Sequence, residues 1–70
     1  MNKTTLKTII KESVKTGWLH FKDESDKKYI LDLLKDSDLD DVLTALENCE
    51  FEYQDDYDTV HDLRDELDSL

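Results

Sequence analysis

Apolar residues in this 70-residue chain recur at spacings of three and four, the repeat of one face of an α-helix, in four separate stretches. In chain order the four sets are Leu6, Ile9, Ile10 and Val14; Tyr29, Ile30, Leu33 and Leu34; Leu39, Val42, Leu43 and Leu46; and Val60, Leu63, Leu67 and Leu70. None of the stretches has the length of a transmembrane helix. The pattern predicts four short amphipathic helices.

The chain has no proline and only one glycine, so few residues that break helices mark the helix boundaries. The starts of the helices are therefore predicted from polar residues whose side chains can cap a helix. We expect the first helix to cover residues 5–15 and to end before Gly17, where a glycine terminates helices well. The expected caps are Thr4 or Thr5 for the first helix, Ser25 for the second, Ser37 for the third, and Asp55, Asp56 or Asp58 for the fourth.

Two short segments between the helices look extended. Residues 18–21 are rich in aromatic side chains, and residues 49–54 alternate between Cys49, Phe51 and Tyr53 on one face and polar side chains on the other. Short strands that pair with each other are the favoured prediction, and helix extensions are the alternative. Trp18 is expected in the core, and an exposed anchor is the alternative. The predicted fold is a single α+β domain, 1–70, dominated by about four helices and completed by a second copy as a homodimer.

The charge is distributed unevenly along the chain. Residues 1–35 carry eight lysines and five acids, a net charge of +3, whereas residues 36–70 carry fourteen acids and one arginine, a net charge of −13. Such a concentration of anionic groups repels nucleic acid and anionic membranes and attracts cationic surfaces. Lysines recur every fourth residue from Lys3 to Lys15, and we expect them to balance acids of the same chain or of a partner subunit.

The end of the chain places several acids on one side of the last predicted helix, with Asp58, Asp62 and Asp65 in a row. Carboxylates four residues apart on a helix are separated by about 6 Å along its axis, close to two phosphate steps of roughly 3.4 Å each. We predict a partner-binding surface that imitates phosphates and consists of Glu50, Glu52, Asp55, Asp56, Asp58, Asp62, Asp65, Glu66 and Asp68. The alternative is that the first-turn acids merely complement the helix dipole.

The sequence does not favour a metal site, a cofactor or catalysis. Residues 36–47 carry carboxylates at positions one, three, five and twelve of a calcium loop, but Asp41 occupies the position where that loop needs glycine. His20, Cys49 and His61 have no zinc-binding spacing. Neither a nucleophile with its base nor a substrate cleft is apparent, and we expect a protein without enzymatic activity.

In residues 50–58 of the acidic second half, carboxylates are interleaved with aromatic residues. This half resembles the small DNA-mimic proteins that phages make to disable host DNA-binding proteins. Within that group, the size and the lysine-rich start look most like a host-takeover protein that binds the histone-like nucleoid protein HU. The resemblance implies an acidic dimer that blocks the DNA-binding surface of a basic host protein. The alternative is an adaptor or regulator that binds a protein through an apolar helical surface, with the acids serving only solubility. The chain has a single cysteine and no visible signal peptide, so for both functions we expect the protein in the cytoplasm or nucleoid.

Overall fold

The first helix, α1, spans Lys3–Lys15 in the computed structural model, which describes residues 2–70. The helix begins two residues earlier than predicted because the side chain of Asn2 accepts a hydrogen bond from the backbone N–H of Thr5, at 2.9 Å. Its end agrees with the prediction. The chain leaves the helix through Gly17, whose φ of +82° is a left-handed conformation that glycine adopts without steric cost.

Helices α2 (Glu24–Asp36) and α3 (Leu39–Asn48) each begin after an aspartate and not after the serine that the sequence suggested. Asp23 accepts hydrogen bonds from the backbone and hydroxyl groups of Ser25, which lower the pKa of its carboxyl group. Asp38 accepts from the backbone N–H of Asp41 at 3.0 Å. Aspartate and serine are similarly good caps, so the local sequence left the choice open. The fourth helix, α4 (Gln54–Asp68), has no side-chain cap.

The apolar sides of all four helices meet in one core, as the spacing predicted. Each helix contributes completely or largely buried aliphatic residues, and the segments between helices add three more side chains, Leu19, Cys49 and Phe51. Helix α3 packs between α2 and α4, and α1 contacts both α2 and α4. None of the described helices combines the length and apolar character needed to cross a membrane.

The two predicted strands are not formed. Segments 18–21 and 49–54 do lie antiparallel to each other, but they share a single bridge between Phe21 and Phe51. Two backbone hydrogen bonds flank it, from Lys22 N–H to the Glu50 carbonyl and from Glu52 N–H to the His20 carbonyl. The pairing stops there because α4 already begins at residue 54. The fold is therefore helix-dominated, with a two-segment contact in place of a ribbon.

Five apolar residues are exposed although their positions suggested burial. Trp18 is 74% exposed, and Tyr29, Tyr53, Ile9 and Leu70 are exposed to a smaller extent. Trp18 directly follows the left-handed turn at Gly17, and Tyr53 immediately precedes α4. Both residues lie in segments between helices, where the spacing of apolar residues does not predict which way a side chain points. The prediction of a core position for Trp18 is wrong.

Candidate partner-binding surface

Five carboxylates form one exposed face of α4. A helix turns about 100° per residue, which places these five side chains within an arc of about 100° on the side away from the buried Val60 and Leu63. All five are exposed, and we call them the α4 acid face: Asp55, Asp58, Asp62, Asp65 and Glu66. This arrangement follows from the helix itself, since spacings of three, four and seven return to the same side.

Three further predicted contact residues are exposed but lie outside this face. Asp68 is the last residue of α4 and projects about 100° away from the middle of the α4 acid face. Glu50 and Glu52 flank Phe51, before the helix begins. They extend the negative surface beyond the N-terminal end of α4.

Asp56 does not belong to the exposed surface. Its side chain is buried, with the residue only 5% exposed, and its Oδ2 atom accepts a hydrogen bond from the backbone N–H of His20 at 2.8 Å. The same oxygen lies 3.1 Å from Nδ1 of the His20 ring. Asp56 therefore connects the segment after α1 to the start of α4, and we remove it from the predicted contact residues. No feature of the local sequence distinguishes it from Asp55.

The single arginine of the chain does not neutralise the α4 acid face. Arg64 projects from the side of α4 that packs on α3, where its guanidinium group contacts Asp40, donates to Glu47 at 2.7 Å and donates to the Thr44 hydroxyl at 2.9 Å. The hydrogen bonds to Glu47 and then Asp40 raise the pKa of Arg64 further above its ordinary value. The positive charge of Arg64 is thus paired with carboxylates of α3.

The acids of α4 have few positive neighbours. Within residues 2–70, the α4 acid face has one ion-pair contact, between Nδ1 of His61 and Asp65 at 3.5 Å, and both side chains are exposed. No lysine of this part of the chain forms an ion pair. The lysines of α1 therefore make no direct ion pair with the acids, and the face is largely free for a cation from outside.

The residues considered for metal binding lie apart from one another. His20 contacts Asp56, His61 contacts Asp65, and Cys49 is buried at the C-terminal end of α3. Residues 36–47, which carry the calcium-like spacing, form the end of α2 and most of α3 and not a loop. Over residues 2–70, no group of three or more histidine, cysteine or acidic side chains is arranged to hold a metal ion.

The exposed Trp18 borders a hollow that sequence reasoning missed. The hollow has a volume of about 330 Å³ and is formed by Trp18 together with side chains of α1, among them Ile9, which is 38% exposed. A large apolar side chain exposed beside a second one is typical of a contact surface. The available signal was the position of Trp18 directly after the helix-ending glycine.

No protein-family model, curated protein or solved structure matches this chain.

Proposed function

We propose that this protein binds the DNA-binding surface of a basic protein through the α4 acid face and thereby blocks nucleic-acid binding. The observation that carries the proposal is that these five carboxylates share one exposed side of a helix while the only arginine is held by Asp40 and Glu47 on another side. A basic surface would encounter an ordered set of anions with little internal compensation. Glu50, Glu52 and Asp68 widen that surface.

The spacing of the acids supports imitation of a phosphate backbone. Asp58, Asp62 and Glu66 follow one another at intervals of four residues, which corresponds to about 6 Å of helix, and each DNA strand carries one phosphate per roughly 3.4 Å of duplex axis. Lysine and arginine side chains that span two phosphate steps can reach successive carboxylates. They cannot contact DNA and the α4 acid face together, so binding is competitive.

The nucleoid protein HU is the first target to test, because the acidic second half resembles phage proteins that disable DNA-binding proteins of the host. A homodimer in the host cytoplasm or nucleoid is part of the same proposal, since two copies would present two acid faces. The action we propose is occupation of a surface, with no catalytic step and no cofactor. Sedimentation at several concentrations measures the state of association.

The test is release of DNA from HU, followed by the fluorescence anisotropy of a labelled duplex. The unmodified protein is expected to release the duplex, and release should weaken as salt increases because screening reduces attraction between charged surfaces. The variant with Asp58→Asn, Asp62→Asn and Asp65→Asn should lose most of this activity.

A matched variant with Glu12→Gln, Asp32→Asn and Asp36→Asn separates a specific surface from net charge. It changes the total charge by the same amount at exposed positions on α1 and α2. We expect it to retain release. Equal loss in both triple variants would assign the effect to overall charge, and undiminished release by the α4 variant would reject the surface.

The exposed Trp18 and Ile9 favour a second candidate function, an adaptor that binds another protein through its apolar α1 hollow. Trp18→Ala discriminates the two candidates because Trp18 contributes little to the core. If Trp18→Ala abolishes capture of a partner while the α4 triple variant does not, the adaptor function is supported and the DNA-mimic proposal is rejected for that partner.

A further inference from the structure

A groove of about 520 Å³ separates α2 from α3, and its α3 wall adjoins the Arg64 contacts at Thr44, whose hydroxyl accepts a hydrogen bond from Arg64. Side chains from both helices form its walls, and the ones that matter here are Asp26, Tyr29 and Leu33 of α2 and Asp41, Ala45 and Asn48 of α3. The buried thiol of Cys49 lies at the same groove. None of these residues belongs to the α4 acid face.

The lining of the groove is negatively charged. Of residues 2–70, it includes the two carboxylates of Asp26 and Asp41 but no lysine, arginine or histidine. Arg64, which contacts the lining residue Thr44, is paired with Asp40 and Glu47. Neither carboxylate forms an ion pair with another of residues 2–70. Burial, with a smaller contribution from the charge of Asp26, raises the pKa of Cys49 at the groove wall to about 11.

The remaining walls suit a long side chain with a flat, charged end. Leu33 and Ala45 give an apolar surface that an aliphatic stem can cover. The ring of Tyr29 is more than half exposed and can stack on a planar cation. The amide nitrogen of Asn48 donates to the Thr44 carbonyl at 2.9 Å, which leaves the amide oxygen of Asn48 available as an acceptor.

We propose that this groove binds an arginine side chain of a partner protein. Arginine combines an aliphatic stem with a planar guanidinium group that carries five N–H donors and stacks on aromatic rings. Carboxylates on both walls, the Asn48 oxygen and the Tyr29 ring match those properties. A lysine would supply charge without the planar group, and a purely apolar segment would leave two carboxylates desolvated without a partner. The proposal does not depend on the α4 acid face.

The test uses a defined probe and ¹H–¹⁵N NMR spectra of the whole protein at neutral pH. The probe is the peptide acetyl-Gly-Gly-Arg-Gly-Gly-amide, and its comparison peptides replace arginine with citrulline, which is neutral but similar in shape, or with lysine. We expect the arginine peptide to shift the amide signals of Tyr29, Leu33, Ala45 and Asn48. Citrulline should bind at least about tenfold more weakly because it lacks the charge-assisted hydrogen bonds, and lysine should fall between.

Two kinds of variant separate the charge of the groove from its shape. Asp26→Asn with Asp41→Asn should weaken binding of the arginine peptide about tenfold, whereas the matched pair Glu12→Gln with Asp32→Asn should not. Ala45→Leu retains both carboxylates but fills the groove, and it should also prevent binding. The dispersion of the NMR spectrum shows whether each variant is folded.

Several outcomes would overturn the proposal. Equal shifts with arginine and citrulline would show that charge does not contribute, and shifts confined to residues 55–66 would place the arginine on the α4 acid face instead. Groove shifts that depend on protein concentration without peptide would identify a second copy as the occupant. Each of these results leaves the DNA-release experiment independent, so failure of one proposal does not decide the other.

Discussion

Asp56 is the one buried acid among residues 2–70, and two hydrogen-bonding groups of His20 surround its carboxylate. The contact joins two segments that are 36 residues apart in the sequence. It also lies in the first turn of α4, where a negative charge interacts favourably with the helix dipole. A carboxylate that resembles its neighbours in sequence thus has a structural role.

Replacing Asp56 with alanine should lower the free energy of unfolding by about 2 kcal/mol, because the backbone N–H of His20 would lose its acceptor in a part-buried contact. Urea denaturation followed by circular dichroism measures the change. Asp55→Ala is the control, since the exposed Asp55 contributes only to the dipole, and its cost should not exceed about 1 kcal/mol. Equal effects of the two substitutions would contradict the assigned role.

Cys49 is a buried thiol whose reactivity should depend strongly on pH. Burial, with a smaller contribution from the charge of Asp26, raises its pKa from 9.0 to about 11. The thiolate is the reactive form, so at any pH well below 9 the folded protein should contain about 100-fold less thiolate than an unshifted cysteine. Reaction with a disulfide reagent such as DTNB should be correspondingly slow at pH 8 and should accelerate up to about pH 11. The same rate for the folded and the urea-unfolded protein at pH 8 would refute this.

At the scale of secondary-structure elements, Arg64 connects α3 to α4. Its guanidinium group contacts Asp40, Glu47 and the Thr44 hydroxyl, which lie on one side of α3. Only 20% of the Arg64 side chain is exposed, whereas the two carboxylates reach the solvent. A planar guanidinium group that binds several acceptors at once stabilises a fold more than isolated surface ion pairs do. Screening by solvent limits how much the Arg64 contacts contribute to stability.

Arg64→Ala should therefore lower the free energy of unfolding by about 1 kcal/mol, and Arg64→Lys should cause part of this loss because lysine retains the charge without the planar fork. Chemical denaturation of both variants measures the two values. If Arg64→Lys destabilises the protein as much as Arg64→Ala does, the charge itself makes no contribution to the connection between the helices.

At the scale of the whole molecule, the structure keeps a strong excess of negative charge within a body of 29 × 24 × 20 Å. Helix α1 carries four lysines and one glutamate, whereas α4 carries seven acids and one arginine. The negative charges are thus concentrated on α4, where they repel one another. Repulsion of this kind destabilises the compact state, and salt relieves it.

The melting temperature should therefore rise when sodium chloride is increased from low to near-molar concentration, despite the weakening of the Arg64 contacts. Thermal unfolding followed by circular dichroism measures this trend. The variant with Asp58→Asn, Asp62→Asn and Asp65→Asn should start from a higher melting temperature at low salt and respond less to added salt. A melting temperature that falls with salt would mean that attractive pairs outweigh repulsion.

The amino-acid sequence alone was enough to predict the four helices, most of their inward-facing residues and all the exposed acids of α4 except that it also included the buried Asp56, because 3.6 residues per turn convert a spacing of apolar residues directly into a face. It predicted the buried stripe of α3 completely, with Leu39, Val42, Leu43 and Leu46 all in the core. It also found the two segments that meet at Phe21 and Phe51, although it overestimated their pairing.

The partners of the polar side chains follow from the packing of the helices and not from local sequence. Asp56 with His20 and Arg64 with Asp40 are pairs separated by 36 and 24 residues, and no local pattern relates such positions. The exposure of Trp18 and the groove between α2 and α3 likewise depend on how helices pack. Periodicity fixes the side of each helix that turns inward, whereas the contacts between helices depend on the shapes of distant side chains that fill the same core.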